Sequence, residues 1–175
     1  MYYVVVTDTH YGHDMLITKE YRPHNFADLI DASVARIPNG SVLIHLGDVC
    51  FGNEIANHEF YIQKHKHIKK ILVRGNHDKR SNTWYIEHGW DFVCSGFTLD
   101  AYGKKILFTH KPVPRTDQAH LNIHGHFHAS DHRTHEPEFQ AILDPDFHVL
   151  LAMEHPDINY QVQKLDTFLA KKKKI

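Results

Sequence analysis

Apolar residues in this chain gather into short runs divided by longer, polar-rich stretches. Five runs are strand-length and rich in Val, Ile, Leu or Phe: Tyr2–Thr7, Ser41–Leu46, Ile68–Val73, Lys105–Thr109 and Leu121–His124. Such runs, bounded by Gly, Asn and Asp, predict β-strands. Helical spacing fills the gaps between the early ones. Asn25 is placed to cap a helix reaching about Ile37, with Phe26, Leu29, Ile30, Ala32, Val34 and Ile37 forming an uneven apolar face. Glu54–His67 and Lys79–His88 read the same way, and Asp91–Lys105 predicts a strand pair turning at Ala101-Tyr102-Gly103-Lys104-Lys105. A polar loop, Ser130–Glu138, a strand over Phe147–Met153 and a terminal helix near Leu165–Lys173 complete the pattern. Strand–helix alternation followed by hairpin-like strands predicts an α/β fold with mixed sheets. No repeat or linker divides the chain, so residues 1–175 are read as one domain.

Composition narrows the function classes. The formal net charge is −1 with neutral histidines, so charge does not point to nucleic acid or to a membrane surface as partner. The cationic cluster Lys171–Lys174 reads as a solvated helix end. Cys50 and Cys94 form no CxxC pair and read as packing residues of a reduced, cytoplasmic protein. No apolar run approaches membrane-spanning length, and the start has no basic segment of the kind that opens a signal peptide. The oddity is 18 histidines, three of them at alternate positions, His124, His126 and His128. On a strand these three would share a face.

Each of the five apolar runs ends in polar residues of the same few types. The first leads to Asp8 and His10, the second to Gly47 and Asp48, and the third to Gly75, Asn76, His77 and Asp78. The fourth leads to His110 and the fifth to His126 and His128. Groups at the carboxyl ends of strands in open α/β sheets gather at one edge. Carboxylate, imidazole and amide donors without thiolate suit Mn²⁺, Fe or Zn²⁺ in an open site rather than a closed structural zinc site. Seven donors exceed the needs of one tetrahedral ion, and a bridging carboxylate makes a pair of ions, about 3.5–4 Å apart, the natural arrangement.

The ordered set Asp8-Thr9-His10, Gly47-Asp48, Gly75-Asn76-His77-Asp78, His110 and Gly125-His126-Phe127-His128 resembles that of the calcineurin-like metallophosphoesterases. The opening Thr7-Asp8-Thr9-His10-Tyr11-Gly12-His13 also resembles a small prokaryotic and phage branch. The resemblance implies a four-layer α/β/β/α sandwich with two mixed β-sheets. It implies Asp8, His10 and His128 around one metal, Asn76, His110 and His126 around a second, and Asp48 bridging both. A hydroxide between the metals would attack phosphorus, and His77 would protonate the leaving alkoxide. Mn²⁺ is the first candidate, with Fe, Zn²⁺ or Ni²⁺ as alternatives. The phosphoprotein-phosphatase branch extends the second motif to GDxxDRG. Here it reads Gly47-Asp48-Val49-Cys50-Phe51-Gly52-Asn53, with Phe51 where that branch places an acid. That argues against a protein phosphatase and leaves the partner of His77 open, with Asp78 nearby.

Other residues are weighed against ordinary roles. His13, Arg22 and Arg74 are candidates for contact with substrate phosphate, structural pairing being the alternative for both arginines. Lys111 and Arg115 follow His110 and could line an entrance. His45 reads as a hydrogen-bonded core histidine. His58, His65, His67, His132, His135, His148 and His155 read as surface residues. The expected function is hydrolysis of a phosphodiester or small phosphomonoester, the substrate being a small phosphate ester or of nucleotide type. A nuclease and a non-enzymatic interaction scaffold are the alternatives. Oligomeric state and physiological substrate are not legible.

Overall fold

The structure, a computed structural model, describes residues 2–171. Two mixed sheets carry the fold. The first has β1 (Tyr3–Val6), β2 (Val42–His45), β3 (Lys69–Val73), β4 (Phe92–Cys94) and β9 (Gln163–Lys164), in the order β4-β3-β2-β1-β9. Strands β1 to β4 run parallel and β9 pairs antiparallel with β1. The second has β5 (Gly96–Ala101), β6 (Lys104–Thr109), β7 (Leu121–His124) and β8 (His148–Leu150) in chain order. Its β5–β6 hairpin is antiparallel, and β6, β7 and β8 are parallel.

The five predicted strands are present, within a residue or so at their ends. β2 and β7 are buried at every position, as runs covered on both faces must be. Valines of β1, Ile44 and Leu72 join Ile106, Phe108, Ile123 and Val149 in one contiguous core that spans both sheets. Burying each such side chain stabilises by about 1.5–3 kcal/mol. The short helices are α1 (Asp14–Thr18), α2 (Phe26–Ala35), α3 (Glu54–Asn57), α4 (Asn82–Glu87), α5 (Pro137–Gln140) and α6 (Leu165–Ala170). On α2, Phe26, Ile30, Ser33 and Val34 are buried at helical spacing, and the apolar three join the core. Asn25 does stand at its N-cap, but its side chain makes no capping hydrogen bond.

Several expectations need revision. The segment 91–105 is not one strand pair. Phe92–Cys94 is the edge of the first sheet, and after Ser95 the chain crosses to the second, where β5 pairs with β6 through the turn at Tyr102–Gly103. The polar loop after β7 contains a 3-10 turn, Asp131–His135, and the start of α5. The strand Phe147–Met153 shortens to His148–Leu150. Helix α3 continues into a π-helical stretch, His58–Gln63. Lysines 172–174 lie outside the described residues. His58, His65 and His148 are buried rather than superficial. Each is absorbed by a specific partner: His58 by the Glu54 carbonyl, His65 by Asp31, and His148 by the Val113 carbonyl.

Candidate metal centre

The loops leaving β1, β2, β3, β6 and β7 meet at one edge of the two sheets. Main-chain bonds fix their spacing. Asp8 N–H donates to Gly47 O at 2.9 Å, His10 N–H to Asp48 O at 3.1 Å, and Gly125 N–H to His110 O at 3.0 Å. The Asp78 carboxylate accepts from the amides of Asp48, Val49 and Gly75 at 2.8, 3.1 and 2.7 Å. It therefore ties the second and third loops together and is not the partner that orients the His77 ring. Gly75 and Gly125 are needed for close approach. A side-chain carbon at Gly75 would run into the Asp48 carboxylate, and one at Gly125 into Thr7 Oγ1 and Asp8 Oδ2.

Within that frame, two groups of donors converge: Asp8, His10 and His128, and Asp48, His110 and His126. Five of the six, Asp8, His10, Asp48, His126 and His128, have left-handed backbone, with φ of 47°, 45°, 55°, 69° and 53°. Non-glycine residues there cost on the order of 1–3 kcal/mol each, and such strain concentrates at functional sites. The same backbone decides the role of the alternating histidines. β7 ends at His124, so His126 and His128 reach the centre from strained loop positions and not as a strand face. His124 stays fully buried, its Nδ1–H turned to the Gly125 carbonyl at 3.0 Å.

Carboxylates and imidazoles stand close without bonding. His10 Nε2 and His128 Nε2 are each 3.7 Å from Asp8 Oδ1. Asp48 Oδ2 is 3.9 Å from His10 Nε2 and 3.4 Å from His110 Nε2, so this carboxylate lies between the two groups. Asp8 Oδ1 and both ring nitrogens of His10 are buried with no hydrogen-bond partner among the described residues. Buried polar atoms are normally satisfied. Here the donor set and these unpartnered atoms fit a cation.

Electrostatics agrees. Burial alone would raise Asp8, but His10 and the neighbouring imidazoles hold it well below the usual carboxylate range. His110 donates Nδ1–H to Leu46 O at 2.7 Å and aims Nε2 at Asn76 Oδ1, 3.0 Å away. Burial opposes its charge, yet Asp48 and Asp8 raise it to about 9. These acids require positive charge between them, which a proton or a metal ion supplies.

Arg22 and Arg74, candidates for phosphate contact, have protein partners, and Arg22 Nη2 also lies 3.2 Å from His128 Nδ1. Buried Arg22 donates Nε–H to Glu154 Oε1 at 2.8 Å and Nη1–H to Thr9 O at 3.3 Å. Arg74 donates to Asp78 O at 2.8 Å and to Asn82 Oδ1 at 3.3 Å, bracing its own loop. His13 stacks on Phe51, ring centroids 4.1 Å apart, and lies 5.5 Å from the His10 ring. His77 is the exposed member: its side chain is 41% accessible, its main-chain N–H donates to Asp48 Oδ1 at 2.8 Å, and its ring meets the Phe51 edge. His45 is a core residue. Its Nδ1 accepts from Gly47 N–H, and Nε2 meets Thr9 Oγ1 at 2.9 Å. Cys50 Sγ lies 3.5 Å from His58 Nδ1, but that nitrogen gives its proton to Glu54 O, and burial pushes the thiol up. Arg115 pairs with Asp144.

Two residues at the centre were not anticipated. Glu154 accepts from His128 Nδ1–H at 2.8 Å as well as from Arg22. Burial would raise its pKa, but His128 and Arg22 bring it down to about 2. Glu154 follows the predicted strand Phe147–Met153, so the rule that found the other acids also points to it. Arg133, in the 3-10 turn, places Nη1 3.0 Å from His126 Nε2, and nothing in the sequence marks it.

Two mixed sheets thus bring carboxylate, amide and imidazole donors to a common edge, the makings of an open metal centre. The family model for calcineurin-like phosphoesterases matches residues 1–171, and the chain belongs to that family. It is thereby a phosphoesterase by class, with two candidate metal groups. A solved protein of unknown function from Aquifex aeolicus is similar over 97% of this chain and 98% of its own, at 19% identity and a TM-score of 0.70. The nuclease MPE of Pseudomonas putida is similar over 72% of this chain and 61% of its own, at 24% identity and a TM-score of 0.51. At these identities the likeness concerns the fold. No curated protein matches the sequence. Among the described residues no helix is long and apolar enough to cross a membrane.

Proposed function

We propose that the protein hydrolyses a phosphodiester at a centre of two divalent ions. Asp8, His10 and His128 hold one, Asn76, His110 and His126 the other, and Asp48 is shared. The observation that carries this reading is the buried Asp48 carboxylate between His10 and His110, next to donors that have no other partner. Divalent ions supply, when bound, an activated water and charge neutralisation for the phosphoryl group. The remaining work belongs to side chains. His77, exposed at the rim and fixed through its main chain to Asp48, delivers a proton to the leaving oxygen. Phe51 and His13 form an aromatic wall beside it. A site with the acid this accessible suits an ester with substituents on both sides of phosphorus, and Mn²⁺ is the first ion to load.

The test uses metal-free protein reloaded with Mn²⁺, Ni²⁺, Zn²⁺ or Mg²⁺, and bis(p-nitrophenyl) phosphate against p-nitrophenyl phosphate. The expected result is metal-dependent turnover with the diester preferred. Asp48→Asn should lose more than the roughly 10–100-fold typical of losing a group that only orients a ligand. Undiminished turnover in that variant would refute the shared-ligand assignment. His77→Gln should bind as much metal as the parent yet slow esters with poor leaving groups by about 10²–10⁴, and p-nitrophenyl esters far less. Equal losses on both kinds of ester would show that His77 is not the acid.

A further inference from the structure

We infer that Arg133 binds the substrate's phosphoryl oxygens and that His126 holds it in reserve until the centre is loaded. This rests on the reading of His126 as a metal ligand. A guanidinium has donors only, so in the contact at 3.0 Å the His126 Nε2 must be the acceptor. A neutral imidazole has one ring lone pair, and Arg133 uses it. His126 cannot ligate a cation through either nitrogen and keep this bond. Through Nε2, the lone pair itself is taken. Through Nδ1, Nε2 must carry the proton and would face the guanidinium donor with another N–H.

Loading therefore releases Arg133, but not far. The residue stands seven positions after His126 (133 − 126), in the short turn Asp131–His135, and its side chain is already half-buried at the rim. The released group is a planar cation beside other positive charge, and among the described residues no carboxylate is paired with it. A phosphoryl group held at the centre presents oxygens of matching fork geometry. The surroundings reinforce the choice. Lys111, next to His110, lies 5.7 Å from the Phe139 ring, which packs against His126, so a second cation stands on this flank. Arg22 lies 3.2 Å from His128 Nδ1 but is paired with Glu154, and Arg74 donates to the Asp78 carbonyl, whereas Arg133 meets the centre through the His126 ring. The exchange couples the two events. Arg133 becomes available for phosphate only when His126 has taken up its ligand role.

The experiment is calorimetric titration of Mn²⁺ into metal-free protein, then of inorganic phosphate into the Mn²⁺-loaded protein, for wild type, Arg133→Ala and Arg133→Lys. KM and kcat for bis(p-nitrophenyl) phosphate are measured alongside. Arg133→Ala is expected to bind Mn²⁺ at least as tightly as wild type, because a competitor for His126 is gone. Its phosphate affinity should fall by about tenfold or more, the loss of one charge-assisted contact, with KM rising more than kcat falls. Arg133→Lys should recover part of the phosphate affinity. Loaded Arg133→Ala that binds phosphate as wild type does would overturn the inference. So would a parallel loss of Mn²⁺ and phosphate affinity, which marks Arg133 as a mere support for His126. Wild type that takes up no Mn²⁺ would overturn the reading of the centre itself, and the inference with it.

Discussion

The two halves of the centre are built from similar donors but held in different ways. Around Asp8, His10 and His128, the supporting groups are charged and permanent: Glu154 fixes His128 and is itself locked by buried Arg22. Around Asp48, His110 and His126, support comes from main chain, through Leu46 O and the amides gathered by Asp78, and from a cation on His126 that ligation must displace. The first half is preorganised whether or not a metal is present. The second half is completed by what binds there. A fixed half suits a resident ion, and an adjustable half suits the side on which substrate arrives.

The sharpest way to break this comparison is Glu154→Ala. Removing one partner of a buried pair strands Arg22, so stability should fall by about 3–5 kcal/mol in chemical denaturation. Metal affinity of the first half should drop about 10–100-fold while the second ion still binds. Equal loss of both ions would show that the halves are not independently supported. Asp78→Ala is expected next. It leaves three loop amides without their acceptor, at a cost of roughly 2–4 kcal/mol, and metal content should fall at the second half first. Asn76→Ala sharpens the contrast from the other end. Its half-buried amide carries little of the fold, so stability should stay within about 0.5 kcal/mol while the second ion weakens by tenfold or more. A cooperative unfolding transition shifted well beyond that would place Asn76 in the framework instead.

Legibility in the sequence tracked the length and regularity of the signal. Five apolar runs announced the central strands, and the polar residues after them announced the donors, because a strand of fixed direction delivers its end to a fixed edge. Strand β9, two residues long, gave no such signal, and its place beside β1 is set by tertiary pairing. The crossing at Ser95 was hidden because β4 and β5 are each apolar enough for either sheet. His58, His65 and His148 misled for another reason. A histidine can be buried when a carbonyl or carboxylate receives its proton, and such partners cannot be read along the chain.

The sequence by itself determined an α/β fold with mixed sheets, the ordered motif set and the donor types, since each depends on local pattern and chain direction. Tertiary structure alone decided how those donors are armed. It put Arg22 on Glu154 across 132 positions, turned Asp78 away from His77 to bind loop amides, and brought Arg133 to His126. These are choices of one partner among many for long side chains and buried carboxylates. Only the packed geometry of both sheets, which fixes distance and excludes water, makes one choice cheaper than the rest.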